Sequence, residues 1–478
     1  MKITFLDPPN FLGKKQIERV FGCTYSLYPM PNIFLLSCAA LLADKGFLVR
    51  YLDMANEGWN KAKFKDFLSS DESDVYVLHS VNLSIQADIF VHGLIREAKN
   101  NVFIVFTGPA PTYFPQDFLK DSNTFVIRGE PEEALLELAS ALKEGRAPNA
   151  IEGISFASGG IIVENPSRKP KESLDELPYP ARHLLKRNLY YNPKLPHRPF
   201  TALQTSRNCS YRCIFCVPNS YNFARELEYR RYNQNKKPPV RMRSADSVIA
   251  EFRMLSRDGY RSVSIIDDQF LWDEARTKNI CRGIKGLNME WGCLARVDRI
   301  NEFVASNMAE AGCRYVDLGV ESFNQQILDD VRKDLKVEAI PAAIAILKKH
   351  KILIKINLIL GISPLQTKRE IREDIRKAQE LDVDAVMFSL ATPFPGTDFY
   401  DRAKNNNWFV QADYHPESVQ TRAIISYPGL SARELNRLVR LANLSFYFNP
   451  RFMLKSLKRL SSPLSFYYGL VALKRKFD

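Results

Sequence analysis

The sequence predicts an α/β fold with a doubly wound parallel sheet at the N-terminus, then a partial (β/α)6 barrel and a mainly helical C-terminal region. Short apolar segments alternate with helical patterns through residues 1–150, and six more strand-like segments alternate with helical patterns over residues 201–410. Such alternation is typical of parallel sheets whose strands are linked by helices. Six units are too few for a closed eight-unit barrel, so an open barrel is expected.

The strands of the first sheet are predicted from apolar runs that end in proline, glycine or polar residues. A helix over 32–46 closes at Gly46, a typical C-terminal signal. Ligands of doubly wound sheets bind beyond the carboxyl ends of the strands, so residues at those ends are candidate binding residues. The predicted strands cover 2–9, 47–54, 74–80, 102–108 and 124–130.

Residues 151–200 change in character. A hairpin is predicted over 153–165, and the proline-rich stretch after it is predicted to be a linker. The barrel strands are predicted at 201–207, 262–267, 290–295, 314–320, 352–361 and 385–391. The remaining segment, 411–478, is predicted to be a helical region with one clear helix at 431–448.

Composition excludes several classes of protein. No apolar run approaches the ~20 residues of a membrane span, and the N-terminus lacks the pattern of a signal peptide. Eight cysteines in 478 residues do not form a disulfide framework, so a reducing cytoplasm is expected. The net charge is +13, with basic stretches at 225–243 and 451–478 that suit phosphates, anionic lipids or RNA, or simply a solvated surface.

Three cysteines, Cys209, Cys213 and Cys216, lie in a C-x3-C-x2-C pattern just after the first barrel strand. Four thiolates would make a closed zinc site or an electron-transfer cluster. Three thiolates on a 4Fe–4S cluster leave one iron open to an outside ligand. S-adenosylmethionine offers an amine and a carboxylate for that iron, beside a sulfonium that one electron can cleave. A zinc site or buried thiols are the alternative.

This pattern, with Phe215 before the third cysteine, resembles the signature of the radical S-adenosylmethionine (radical SAM) family, whose catalytic domain is a TIM-type barrel. The resemblance implies that the cysteines hold the cluster. It places Asp267 or Asp268 near the amino group of S-adenosylmethionine, with a helix N-cap as the alternative for these aspartates. It further implies the following contacts: Arg296 near the carboxylate, Glu321 and Ser322 near the ribose, Gly361 beside the adenine, and Phe215 at the cofactor.

Residues 1–150 resemble the cobalamin-binding domain that precedes the radical barrel in one subgroup. The resemblance assigns Pro8, Ser80, Asn82, Ser84, Gly108 and Pro109 to cobalamin. No Asp-x-His-x-x-Gly follows the first strand, so no histidine below the cobalt is expected, and His79 and His92 are interpreted as structural. Thr107-Gly108-Pro109-Ala110 also departs from the subgroup's pattern, and a domain that kept the fold but lost cobalamin is the alternative.

The resemblance implies cleavage of S-adenosylmethionine to a 5′-deoxyadenosyl radical and modification of an unactivated carbon, with cobalamin-dependent methylation of a lipid or other apolar metabolite as the leading hypothesis. The stretch 319–338 and the loop near 388–400 resemble hopanoid-biosynthesis-associated radical proteins. An electron donor such as ferredoxin or flavodoxin is expected. Residues 217–243 are interpreted as a loop over the cluster, with Tyr221, Arg230 and Arg231 as substrate contacts.

Three alternative functions stay open, and the basic tail has two interpretations. A radical cyclase or oxidase would act on a porphyrin-like or other small molecule without methyl transfer. A cobalamin sensor or carrier would not need the three cysteines. An RNA-modifying enzyme is disfavoured because the N-terminal region lacks further cluster cysteines, so no nucleic-acid partner is expected. The basic tail, 450–478, suggests peripheral contact with the inner face of the membrane, or a helix packed on the barrel.

Overall fold

The computed structural model describes residues 1–13, 15–411, 422–450 and 452–453. The chain forms two compact units. The first contains Met1–Leu189, Arg207–Ser210 and Val217–Met242, and the second contains Tyr190–Ser206, Tyr211–Cys216 and the described residues from Arg243 onward. These units differ from the segments expected from sequence, because the chain passes between them several times around the cysteine loop.

The first unit is built on a seven-stranded sheet in the order β2-β1-β3-β4-β5-β6-β7. Strands β1 to β5 pair in parallel, which confirms the predicted doubly wound sheet. The predicted hairpin is present: β6 pairs antiparallel with β5 and extends the sheet, and β7 pairs antiparallel with β6. The strands are β1 Lys2–Leu6, β2 Leu48–Leu52, β3 Val75–His79, β4 Phe103–Thr107, β5 Thr124–Ile127, β6 Ile154–Ser158 and β7 Ile161–Glu164.

Seven α-helices complete the described part of the first unit. They are α1 Ile33–Asp44, α2 Lys61–Ser70, α3 Ile85–Ala98, α4 Pro109–Tyr113, α5 Pro115–Phe118, α6 Glu132–Glu144 and α7 Ser220–Tyr232. The last of these corrects the prediction of a loop over residues 217–243. Asn219 caps α7 by accepting from the Asn222 backbone N–H at 3.0 Å. The helix has no apolar stripe because it buries charged side chains through ion pairs. The periodicity of hydrophobic residues therefore does not reveal this helix in the sequence.

The second unit is built on six parallel strands in the order β15-β14-β13-β12-β11-β8. Neighbours in this sheet follow chain order, as in the barrel of repeated strand–helix units that was predicted. The strands are β8 Phe200–Leu203, β11 Ser262–Ile265, β12 Glu290–Arg296, β13 Cys313–Glu321, β14 Leu353–Leu360 and β15 Ala385–Leu390, and the two-residue strands β9 Ser206–Arg207 and β10 Arg241–Met242 lie between β8 and β11 in the chain.

Helices separate these strands and bury their apolar faces in one continuous core. They are α8 Ala245–Arg257, α9 Glu274–Ile284, α10 Glu302–Glu310, α11 Gln325–Asp330, α12 Ala339–Lys349, α13 Lys368–Glu380, α14 Asp398–Asn405 and α15 Ala432–Tyr447. The predicted C-terminal helix is α15. Most of the basic tail lies outside the described residues. Within those residues, no helix is both long and apolar enough to cross a membrane.

Candidate active site

The three loop cysteines differ from most other cysteines of the chain in exposure. Cys209, Cys213 and Cys216 are partly exposed. Cys38, Cys281, Cys293 and Cys313 are buried, and burial raises the pKa of the Cys281 thiol to about 12. A metal ligand must be an accessible thiolate, which the loop cysteines can provide and the buried ones cannot. Within the described ranges, no three His, Cys, Asp or Glu side chains are arranged to hold a metal ion, so the loop supplies the donor set without a converged geometry.

Backbone hydrogen bonds anchor the part of the loop that belongs to the second unit. The Ile214 N–H donates to the Val331 carbonyl at 3.1 Å, and the Phe399 N–H donates to the Ile214 carbonyl at 3.0 Å. A further turn joins Cys216 to Cys213, and Phe215 packs against the core of the barrel unit. The ring of Phe215 therefore has a packing role, whereas the thiols on either side remain partly exposed.

Two cations lie near Cys213. Burial lowers the pKa of Arg296 and of Lys333. Each side chain nevertheless has a raised pKa, because its carboxylate partner and the Cys213 thiolate favour the charged form. Arg296 was predicted from the sequence as a site residue, whereas Lys333 lies in no recognised motif and was not predicted.

Arg296 ends β12 and links that strand end to the cysteine loop. Its guanidinium lies 3.5 Å from the centroid of the Tyr211 ring, within the cation–π range. It also donates to Asp298 Oδ1 at 2.9 Å and to the carbonyls of Lys333 and Asp334 at 2.9 and 2.7 Å. Tyr211 was not predicted from the sequence, although it lies between two cluster cysteines.

Glu321 ends β13 and Ser322 follows it, at the strand end where they were predicted, and both already have protein partners. Glu321 Oε1 accepts from Lys333 Nζ at 2.8 Å. Ser322 Oγ donates to Asp374 Oδ2 at 2.9 Å, and the Phe323 N–H donates to Asp374 Oδ1 at 2.7 Å. Burial raises the pKa of Asp374 to about 6. Asp374 was not predicted from the sequence. It could have been recognised by its position on the apolar face of α13, where a buried carboxylate needs a partner.

Asp267 is fully buried and holds the chain after β8. It accepts from the Thr205 N–H and Thr205 Oγ1, both at 2.6 Å, and from Ser206 Oγ at 2.7 Å. Its carboxylate is therefore engaged by the protein. Asp268 is only partly buried. The alternative of a helix N-cap is wrong for both, because Asp273 caps α9.

Gly361 lies just beyond β14 in a left-handed conformation, with φ at +78°. Its N–H donates to Gln366 Oε1 at 2.6 Å, and an added Cβ would lie 2.9 Å from Leu435 Cδ2. Glycine is required here by the backbone and by α15.

The six residues assigned to cobalamin lie at the carboxyl edge of the first sheet, and most of them are engaged by the protein. Arg19 enters this edge: it pairs with Asp7 at 2.9 Å and Asp88 at 2.7 Å, and it donates to Ser84 Oγ and the Pro8 carbonyl. Ser80 Oγ and Ser84 Oγ lie 3.3 Å apart. Pro109 opens α4 and is buried.

Two features of this edge bear on a bound ligand. Gly108, at φ +104°, has the Ser80 carbonyl 2.4 Å from the position of a Cβ, so its conformation serves backbone packing. Asn82 Oδ1 is buried without a hydrogen-bond partner, and it fits a donor on a bound group such as a corrin amide. Asn82 is thus the member of the predicted set with spare hydrogen-bonding capacity.

His79 and His92 are satisfied structural histidines, as expected. His79 bonds to Thr107 Oγ1 and, at 2.8 Å, to Ser220 Oγ. Burial and Arg19 lower the pKa of His79 to about 3, so it is neutral. His92 bonds to Asp121 and Thr124.

The predicted substrate contacts lie on α7 and have protein partners. Tyr221 is buried and donates to the Glu132 carboxylate, while the Arg207 guanidinium lies 4.4 Å from its ring centroid. Arg231 pairs with Glu164 at 2.7 Å, and Arg230 lies 3.7 Å from Glu226. A substrate could reach Tyr221 only if this packing opened, so the loop hypothesis fails for that residue.

Residues 203–364 match the radical SAM superfamily. An uncharacterized methyltransferase of Pyrococcus horikoshii is 28% identical over 462 residues, covering 96% of this chain and 95% of that protein. The anaerobic magnesium-protoporphyrin IX monomethyl ester cyclase of Rubrivivax gelatinosus is 25% identical over 413 residues, covering 84% of this chain and 69% of that protein.

Among solved structures, the cobalamin-dependent radical enzyme OxsB with aqua-cobalamin and S-adenosylmethionine bound aligns with a TM-score of 0.71 at 16% identity, covering 99% of this chain and 71% of that chain. This likeness concerns the fold. Together with the three-cysteine loop and the parallel strands on either side of it, the match over 203–364 confirms the resemblance seen in the sequence: this part of the chain is a radical SAM superfamily domain.

Proposed function

We propose that the chain is a cobalamin-dependent radical SAM methyltransferase that acts on an unactivated carbon of an apolar small molecule, with a lipid as the leading substrate class. The observation that carries the proposal is the loop of three partly exposed cysteines within the radical SAM domain, with Arg296 and Lys333 beside Cys213. Near full-length similarity to a methyltransferase supports the methyl-transfer outcome.

Each group of candidate site residues has a separate proposed role. Cys209, Cys213 and Cys216 would hold a 4Fe–4S cluster, and Asn82 would accept from cobalamin at the edge of the first sheet. When bound, the cluster with S-adenosylmethionine supplies a 5′-deoxyadenosyl radical, and cobalamin supplies a methyl group. The chain itself binds these groups, places Arg296 and Lys333 beside Cys213 and anchors the loop through Ile214.

The chain would also need an electron donor such as ferredoxin or flavodoxin. A cytoplasmic location, with peripheral contact to the inner face of the membrane through the basic tail, suits a lipid substrate. The lipid class is supported by the resemblance of 319–338 to hopanoid-associated radical proteins, and nucleic acid is not an expected partner.

The test is anaerobic reconstitution with iron, sulfide and hydroxocobalamin, followed by desalting and counts of iron and cobalt. Iron near four per chain with bound corrin is expected, and methyl-labelled S-adenosylmethionine with a reductant should yield 5′-deoxyadenosine. Cys213→Ala should lose iron and 5′-deoxyadenosine, whereas Cys23→Ala, which removes a partly exposed cysteine of the first unit, should retain both. Equal iron retention by the two variants would refute the cluster assignment, and iron without corrin would refute the cobalamin assignment.

A second candidate, a radical cyclase or oxidase without methyl transfer, is favoured by the similarity to the magnesium-protoporphyrin cyclase. Incubation of the reconstituted protein with magnesium-protoporphyrin IX monomethyl ester separates the two candidates. Ring closure of that substrate without use of the methyl label would support the cyclase.

A further inference from the structure

The first unit contains a cavity of about 380 Å³ beside the carboxyl end of β5, within the size range of small-molecule sites. Its lining includes Glu130, Lys169, Arg207, Arg225 and Tyr229. The sequence marked the end of this strand as a candidate binding position without assigning a ligand to it, and the proposed function does not use it.

The charges beside this cavity do not balance. Glu130 pairs with Arg207 at 3.0 Å and Arg225 at 3.3 Å, and it also pairs with Arg241. Arg207 pairs in addition with Glu132 at 2.7 Å. Three guanidinium groups therefore face two carboxylates in a buried setting, which leaves one positive charge without a buried counter-charge. Such an excess is costly unless an anion neutralises it.

Arg207, Arg225 and Arg241 each have one nitrogen without a hydrogen-bond partner, but Arg207 Nη1 already lies 3.0 Å from Glu130. Arg225 is the candidate anchor for a ligand. It is 3% exposed, and its Nη2 has no hydrogen-bond partner. Its Nε donates to Asn208 Oδ1 at 2.9 Å and its Nη1 faces Glu130, so Nη2 is left for a ligand. Burial lowers the pKa of Arg225 to about 10 even though Glu130 opposes this. A bound anion would restore both the hydrogen bond and the charge balance.

The other residues that line the cavity indicate which kind of ligand would fit beside Arg225. Lys169 is exposed at the cavity, and Tyr229 is partly buried there. The neighbouring cations already have carboxylate partners: Arg128 Nε lies 3.1 Å from Glu228, and Lys171 lies 3.1 Å from Glu133 and 2.9 Å from the exposed Glu176. One surplus buried charge suits a monoanion better than a phosphate dianion, and the tyrosine suits an aromatic or flat apolar body.

We propose that this cavity binds a small monocarboxylate with an apolar body, held by Arg225 Nη2. The site goes beyond the proposed function and stands without it. It lies close in the chain to the cysteine loop, because Asn208, which accepts from Arg225, precedes Cys209.

The test is calorimetric titration of the full-length protein with phenylacetate, with phenylacetamide as the neutral probe and phenyl phosphate as the dianion. Phenylacetate should bind about tenfold or more tightly than the amide, as expected for a hydrogen bond to a charged group. Equal affinity for acid and amide, or a preference for phenyl phosphate, would overturn the proposal. Displacement of phenylacetate by hydroxocobalamin would assign the cavity to the corrin and would also overturn it.

Variants test the residue assignment. Arg225→Gln should lose the preference for the acid, whereas Arg96→Gln, which removes an arginine paired with Asp121 elsewhere in the same unit, should keep it. Because Arg225 is buried, its loss could prevent folding. Ser167→Phe fills the cavity from its partly exposed rim and should abolish binding while the protein remains folded. Wild-type affinity in Ser167→Phe would refute the cavity as the site.

Discussion

Lys333 Nζ lies 2.8 Å from Glu321 Oε1, and each of these side chains is only 8% exposed. The pair joins the end of β13 to the segment after α11, and the Lys333 carbonyl also receives a hydrogen bond from Arg296. This buried ion pair and the hydrogen bond from Arg296 together connect the ends of β13 and β12.

Glu321→Gln should lower the free energy of unfolding by about 3–5 kcal/mol, because it leaves the Lys333 ammonium buried without its partner. The double variant Glu321→Gln with Lys333→Met should recover a large part of this loss. Urea denaturation of the three proteins measures the effect. A double variant no more stable than the single one would show that the pair is not the source of the loss.

Asp267→Asn should destabilise the protein by about 1.5–3 kcal/mol, since it weakens hydrogen bonds from Thr205 and Ser206 to a buried carboxylate. Asp246→Asn changes an exposed aspartate in the first turn of α8 and should cost less than about 1 kcal/mol. Thermal and chemical denaturation of both variants gives the comparison. Similar losses would contradict a special role for Asp267.

Gly108→Ala should cost about 3 kcal/mol with no cobalamin present, because a Cβ would lie 2.4 Å from the Ser80 carbonyl and the residue has φ +104°. Gly93→Ala is the matched control: nothing lies within 4 Å of its Cβ position in α3, so alanine should stabilise the helix by about 0.5–1 kcal/mol. Denaturation of the cobalamin-free protein tests this. A stable Gly108→Ala protein that has lost only corrin binding would instead support a role in ligand contact.

The buried carboxyl of Asp7, at the edge of the first sheet, predicts a pH dependence of stability. Burial, followed by Asp53, raises the pKa of Asp7 from 3.8 to about 7, although Arg19 opposes this. Between about pH 4 and 7 the folded state therefore holds a proton that the unfolded state has lost. Stability from this group falls as pH rises through that window, by up to about 1.4 kcal/mol per pH unit.

Asp7→Asn should remove this component. The difference in unfolding free energy between the variant and the wild type should move in favour of the variant from pH 4.5 to 7, and level off above pH 7. Urea denaturation across the range measures it. Parallel curves for the two proteins would show that Asp7 does not titrate there.

Much of the fold could be predicted from the sequence because apolar periodicity reports burial directly. The parallel strands of both sheets, helix α15 and the hairpin were recognised in this way. The cysteine loop was also recognisable, since its chemistry depends on the spacing of residues close together in the chain. The radical SAM domain, confirmed over 203–364, followed from that local pattern.

Tertiary structure decided how the polar residues are used. Helix α7 has no apolar stripe because it buries Arg225 and Glu228 against carboxylate and guanidinium partners about 100 residues away. The same is true of Lys333 beside Glu321, of Arg19 at the edge of the first sheet, and of Asp267 under Thr205. The burial of a hydrophobic side chain can be predicted from its position in the repeat of a helix or strand. A buried charge instead depends on one particular partner, which only the folded chain brings close.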